Sequence, residues 1–308
     1  MLTIKTDREI KLACSIGVIA YNEAENILKL LQALVDQKLD QVEIAEIIVV
    51  SSACKDGTDD LVCKFALSHP QVSLICEKER KGKSSAINIF LKEAKSDILI
   101  IESGDTIPAP DTIEKLIAPF EDPKIGATGG RPTPVNDEKT LIGYSVHLLW
   151  RMHHRMALIN PKLGEMIAFR RVFTSIPADS AVDEASIEAL IKGKRLKLLY
   201  VPNAIVYNKG PENWKDFISQ RRRIQNGHLW LMHKYQYKVT SQSGGIMLSI
   251  LRQEILSQPA QIFKLGWVML VEAYCRMLGS HDFHIKKKNP FAWDIAASTK
   301  NLNQIGKG

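Results

Sequence analysis

Residues 97–106 read DILIIESGDT. An unbroken apolar run, Ile98, Leu99, Ile100 and Ile101, gives way to an acid, two small residues and an aspartate. A continuous β-branched run bounded by turn residues is the pattern of a strand covered on both faces, as in a parallel sheet. The ending has two readings. Ser, Gly and Asp are common in surface turns for conformational reasons. A carboxylate at the carboxyl end of a parallel strand is also where such sheets meet ligands, and its hard oxygens suit a divalent cation beside a phosphate.

The flanking chain repeats the pattern. LACSIGVIA (12–20), EIIVVS (46–51) and VSLICE (72–77) are further short apolar runs. They alternate with AENILKLLQALVDQ (24–37), GTDDLVCKFALSH (57–69) and KSSAINIFLKEAK (83–95), whose apolar residues recur at helical spacing. The alternation predicts an α/β fold with a Rossmann-like, mostly parallel sheet and helices on both faces. The residues that follow the strands therefore matter most: YNEAEN, SSACKDGT, KERKGK and SGDT. Beyond Asp105 the spacing predicts helices over 108–120, 141–159, 182–195 and 213–234, with short strands in GATGGRPTP, GEMIAFRR and LKLLYVPNAIVYN. The polar stretch YQYKVTSQSGG (235–245) marks a boundary between a domain at 1–235 and a helical C-terminal extension at 236–308.

The 308 residues are 45% hydrophobic and 24% charged, a globular balance that excludes a disordered chain. A net charge of +7 and a pI near 9.0 point to an anionic partner. The basic residues show no regular aromatic interleaving, so nucleic acid is not the expected one. Five cysteines, odd in number and without a CxxC pair, read as reduced thiols of a cytoplasmic protein. The acidic residues Asp7 and Glu9 exclude a signal peptide from the N-terminus. QIFKLGWVMLVEAYCRMLG (261–279) is too interrupted by charge to span a bilayer. It reads either as an interfacial helix, with Lys264 and Arg276 snorkelling at its ends, or as a helix packed on the domain or in a homo-oligomer interface. Lys286, Lys287 and Lys288 follow it and favour an anionic membrane surface at the cytoplasmic face.

The motifs occur in a specific order. YNEAENI, DGTDDL, GKSSAIN, SGDT, GGRP, GEMIAFRR, VDEASIEALIKGKRLKLLYVPNAIVY and QRRRI together resemble the inverting family-2 glycosyltransferases of the GT-A fold, across residues 14–234. The resemblance implies a hexosyltransferase that moves one sugar from a nucleotide-sugar donor to an acceptor hydroxyl or phosphate. The acceptor, whose identity the sequence leaves open, is lipid-linked in the membrane reading. The resemblance assigns Asp105 to Mg²⁺ or Mn²⁺ bridging the donor phosphates, with Ser103 and Gly104 leaving space for the donor's ribose and phosphates. Ser103 stands where the family has an additional aspartate.

Tyr21, Asn22 and Glu23 fall where the family holds the base and ribose; Asn22 with Glu25 also fits a helix cap. Ser52 replaces the acid that meets the uracil edge, and its hydroxyl bonds a base more weakly than a charged acceptor, so the resemblance favours a UDP-sugar only slightly. Lys83 aligns with the residue approaching the diphosphate. Glu184 aligns with the general base and Asp183 with its neighbour, and either one is able to take the proton. Gln220 and Arg223 match the QxxRW motif, but Ile224 replaces its tryptophan, which implies non-processive transfer; Trp230 is a candidate substitute. Two other readings stay open: a nucleotide-sugar-binding homologue that transfers weakly or not at all, and a basic protein binding membrane or nucleic acid.

Overall fold

The computed structural model describes residues 11–180, 182–237, 244–287, 297–300 and 302. Lys288 and the residues before Lys11 lie outside the described residues.

The leading half forms as the periodicity predicts. Strands β1 (Leu12–Ala20), β2 (Val42–Ser51), β3 (Val72–Cys76) and β4 (Ile98–Ser103) alternate with helices α1 (Ile27–Val35), α2 (Thr58–Ala66) and α3 (Lys83–Glu93). There follow β5 (Thr106–Pro108), α4 (Thr112–Ile117), β6 (Ile125–Pro134), α5 (Leu141–Ile159), β7 (Ile167–Arg170), α6 (Asp183–Gly193), β8 (Lys197–Asn208), α7 (Trp214–Tyr235), α8 (Gly244–Ser257) and α9 (Ile262–His284). The described strands make one eight-stranded sheet in the order β3-β2-β1-β4-β7-β6-β8-β5. The pairs β1–β2, β1–β4 and β2–β3 are parallel, whereas β7 is antiparallel to both β4 and β6.

Strand alternation divides the core into two faces. Ile16 and Val18 of β1, Ile47 and Val49 of β2, and Ile98 and Ile100 of β4 pack with Leu30, Leu31 and Ile113 of α1 and α4. The alternate residues Ile48, Val50, Leu99 and Ile101 pack with Ile87, Phe90 and Ile187 of α3 and α6. Each of these buried side chains contributes roughly 1.5–3 kcal/mol relative to exposure. Gly17 lies on the second face, where an added Cβ would stand 2.5 Å from Phe90 Cγ.

The register brings the strand ends together. Ala20 is level with Ser51, Ser51 with Cys76, and Ile19 with Ser103. The loops after β1, β2, β3 and β4 therefore leave the sheet along one edge. At the fourth, the chain does not simply turn into solvent. Thr106 begins β5, which crosses to pair antiparallel with β8 at the far side of the sheet. Thr106 Oγ1 lies within hydrogen-bond reach of Glu102 and, at 2.9 Å, of the Ser103 carbonyl, which braces the hinge between β4 and β5.

Helices α8 and α9 pack on α5 and α7. Tyr144, Leu148, Met152 and Met156 of α5 meet Ile250, Leu265 and Val268 in a third core. The opposite face of α9 is open: Phe263, Leu270 and Met277 recur every seventh residue and are 89%, 69% and 60% exposed. Among the described residues no helix is long and apolar enough to cross a membrane. Lys264 and Arg276 do not snorkel outward, because Lys264 lies 5.4 Å from the Tyr144 ring centre and Arg276 donates to Glu272 at 2.9 Å.

Candidate active site

The strand-end loops open onto a cavity of about 1200 Å³. Tyr21, Glu23, Ser52, Lys83, Ser103, Gly104, Asp105, Glu184, Gln220 and Arg223 all line it. Asp183 sits just behind, in a small pocket shared with Lys83, Glu165 and Glu184. Residues separated by up to two hundred positions thus converge because parallel strands end at one edge and α6 and α7 close over it.

The first loop is held by its neighbour rather than by a helix cap. Asn22 accepts from the Lys55 amide at 2.9 Å, so the expected cap is replaced by a link between two loops. Asp56 accepts from the Ala24 amide and from Thr58, whose hydroxyl accepts from the Glu23 amide. Although burial acts to raise the Asp56 carboxyl's pKa, these hydrogen bonds hold it below the usual range. Arg80, from the basic run after β3, stacks 4.1 Å above the Tyr21 ring. Ser52 donates at 2.6 Å to Glu77, which also accepts from Ser85 at 2.6 Å. A carboxylate therefore stands directly behind Ser52, supplied by the end of β3.

Gly104 reveals what the small residues of SGDT accommodate. A Cβ there would lie 2.6 Å from Glu23 Cγ. A side chain of the first loop thus packs on the face of Gly104 where a Cβ would stand, while Ser103 and Gly104 line the cavity. Glu23 itself is 4% exposed. Burial and the nearby Asp105 push its carboxyl up to about 7, against the pull of Lys300. Lys300 was not foreseen. It ion-pairs with Glu23, 277 positions earlier, and donates at 3.2 Å to the Tyr21 carbonyl. The buried Asn26 grips the same segment, donating to the Lys300 carbonyl and accepting from the Leu302 amide at 3.2 Å.

Asp183 and Glu184 open α6 with different surroundings. Asp183, 5% exposed, accepts from Ser84 Oγ at 2.9 Å. Burial and then Glu184 act to raise its pKa. Glu184 turns its side chain to the cavity, one-third exposed at 33%, with Lys83 Nζ at 3.1 Å. There burial acts to raise its pKa, but Lys83, a backbone hydrogen bond and Arg223 together hold the carboxyl below its usual range. Lys83 lies 3.5 Å from Asp183, and both acids outweigh its own burial to hold it charged. Glu165, from the turn before β7, faces the same group; burial and Glu184 push it up to about 7.

The three consecutive arginines of α7 point to different faces, as residues 100° apart on a helix must. Arg221 makes a two-pronged pair with Glu272, both contacts 2.8 Å, and Arg222 clasps Asp282. Arg223 alone projects among Asp183, Glu184, Asp105 and Glu165, where burial lowers its pKa and those acids raise it. Trp230, the candidate stand-in for the missing tryptophan, packs instead with Val182, Ala185 and Leu231 outside the cavity wall.

The donor set suits a cation shared with a ligand. Among the described residues there is no cluster of three or more His, Cys, Asp or Glu that would hold a metal alone. Asp105 offers a carboxylate to the cavity, and Mg²⁺ or Mn²⁺ is commonly held by one or two carboxylates plus substrate phosphates. Asp105 fits that role. Glu102 does not, being 1% exposed and engaged with Thr106.

The comparisons agree with this architecture. The chain is 26% identical over 237 residues to a probable glycosyltransferase, YdaM, of Bacillus subtilis, covering 72% of this chain and 56% of that protein. It is 27% identical over 272 residues to poly-β-1,6-N-acetyl-D-glucosamine synthase of Staphylococcus aureus, covering 82% and 62%. It thus spans about three-fifths of the length of these two relatives. A solved mannosyltransferase, PcManGT from Pyrobaculum calidifontis in complex with GDP-Man and Mn²⁺, superposes with a TM-score of 0.63 at 20% identity, over 89% of this chain and 88% of that one. At that identity the likeness shows the fold, which is GT-A. Residues 15–192 match the model of glycosyl transferase family 2, and the chain belongs to that family.

Proposed function

We propose that the chain is an inverting transferase that moves a single sugar from a nucleotide-sugar to an acceptor, with a divalent cation at Asp105. The convergence of Asp105, Lys83, Glu184 and Arg223 on one cavity from four separate elements carries this reading. Glu184, ionised and one-third exposed, takes the proton of the acceptor hydroxyl. The hydroxyl oxygen forms its bond to the anomeric carbon as the bond from that carbon to the phosphate oxygen breaks, and the electron pair leaves with the nucleoside diphosphate. Attack comes from the face opposite the leaving group, through an oxocarbenium-like transition state. Lys83 and Arg223 offer cationic donors to the departing phosphates. When bound at Asp105, Mg²⁺ or Mn²⁺ supplies further charge compensation to the diphosphate.

Tyr21 and Glu23 belong to the nucleoside end, with Ser52 and Glu77 at its base-reading edge. A UDP-sugar is favoured by the family resemblance, and the GDP-Man complex of PcManGT keeps GDP in contention. The exposed stripe of α9, with Lys286 and Lys287 beyond it, supports docking on an anionic membrane surface. Binding to anionic liposomes that weakens in Lys286→Glu/Lys287→Glu checks that part.

Calorimetry with UDP and GDP, with and without Mn²⁺, tests the central claim. Affinity for one nucleotide should fall at least tenfold on chelation and in Asp105→Asn. Equal binding under all these conditions would remove Asp105 from the donor site.

A further inference from the structure

The cavity is larger than one donor requires. Ligand pockets usually occupy about 300–1,000 Å³, and this one holds about 1200 Å³. The residues named so far gather along the strand edge. The rest of the wall comes from α5, α7, α8, α9 and the loop before β7, and it carries a second set of polar groups.

Lys162, Arg221, His228 and Arg276 line that part. Arg221 and Arg276 share a single carboxylate, Glu272, so one positive charge is left over. Lys162 makes no hydrogen bond or salt bridge with a described residue, and burial lowers its pKa. The acid that acts on it most, Glu188, is already engaged by the Leu163 amide at 2.7 Å and the Tyr237 hydroxyl at 2.8 Å. His228 is pushed down to about 3 by burial and then by these three cations, so it stands as a neutral imidazole beside them. Lys162 also feels the charge of Glu184, which places the group next to the proposed base. Leu149, Met152, Met156, Met247 and Met269 complete this side of the cavity with apolar surface. Thioether walls adapt to irregular apolar ligands. Uncompensated cations in a sheltered wall are costly without an anion to meet them.

We propose that this compartment is the acceptor site, and that it selects an acceptor bearing a phosphate group and an apolar chain, with the attacking hydroxyl left at Glu184. The inference rests on the transferase reading of Glu184. An ammonium, two guanidinium groups and an imidazole offer donors from several directions, which suits the three or four oxygens of a phosphate better than a planar carboxylate. The methionine wall takes the chain.

The test is calorimetry on the full chain, with and without saturating nucleotide and Mn²⁺, using decyl phosphate, decanol and a hexose phosphate as probes. Decyl phosphate should bind in both states at least tenfold more tightly than decanol and should be displaced by inorganic phosphate. Lys162→Met should lose at least tenfold of that affinity while Lys162→Arg keeps it. A hexose phosphate that binds as tightly as decyl phosphate would overturn the requirement for a chain and assign a soluble phosphorylated acceptor. Decyl phosphate that competes with nucleotide, binds no better than decanol, or binds Lys162→Met undiminished would overturn the site. Absence of nucleotide binding would strike the donor reading alone, because decyl phosphate is also titrated without nucleotide.

Discussion

Lys300 forms an ion pair with Glu23, joining the last described stretch of the chain to the first strand-end loop across 277 positions. Glu23 is nearly sealed from water and lies beside a second acid, Asp105. Its charge is therefore tolerated only while the ammonium remains in place.

That dependence predicts a stability effect. Lys300→Met removes the cation that holds the Glu23 carboxyl down at about 7, so Glu23 takes up a proton in the variant and the loss should stay below the ~3–5 kcal/mol of an uncompensated buried charge. Glu23→Gln in the same background should recover most of the loss, because the carboxyl that lost its cation is gone. Thermal unfolding of both single variants and the double variant measures the coupling. Strictly additive effects would show that the two side chains act independently.

The two acids of α6 should separate cleanly. Glu184→Gln should lower turnover by about two orders of magnitude or more, as expected for loss of a general base, with nucleotide affinity little changed. Asp183→Asn should mainly reduce stability, since Asp183 is buried against Ser84 and Lys83. Steady-state kinetics and melting curves of the two variants decide it. If Asp183→Asn alone abolishes turnover in a fully folded protein, the proton goes to Asp183 instead.

Glu272 gives a pH dependence of definite sign. Arg221 and Arg276 outweigh burial and hold its carboxyl down at about 2, below its ordinary value of 4.5. Its ionised form therefore stabilises the fold above pH 4.5, and that contribution disappears as pH falls toward 2. The amount is on the order of 3 kcal/mol. Unfolding measured from pH 6 to pH 2 should show a steep acid loss in the parent and a shallower one in Glu272→Gln, which begins less stable. Parallel curves would mean that Glu272 does not secure α9 to α7.

Gly104→Ala tests the packing at the strand edge. Its Cβ would overlap Glu23 Cγ at 2.6 Å, so either the loop after β1 or the hinge after β4 has to shift. Overpacking of this kind typically costs about 1–3 kcal/mol. Nucleotide affinity should fall as well, because Glu23 and Asp105 would be displaced together. Unchanged affinity by calorimetry would place the nucleotide away from this contact.

Sequence patterning alone settled the parallel core and which loops meet at its carboxyl edge. Runs such as Ile98 to Ile101 bury both faces of a strand, and helical spacing between such runs leaves one topology with all the carboxyl ends together. That is why the pattern singles out the loops that carry Tyr21, Ser52, Lys83 and Asp105, whereas the choice of these residues, and of Glu184 and Arg223, rests on the family resemblance. Tertiary structure decided what depends on pairings without local signals. The crossing of β5 to β8 and the antiparallel insertion of β7 between β4 and β6 bring Glu165 to the site, and nothing in GEMIAFRR marks that acid as different from a surface one. Which of Arg221, Arg222 and Arg223 met the acids at the strand edge hung on the rotation of α7 against α9, which Glu272 and Asp282 set from 51 and 60 residues away. Lys300 had no signal at all. A lysine in a polar tail has the composition of solvated chain, and only the position of Asn26 and Glu23 in the folded domain gives it a partner.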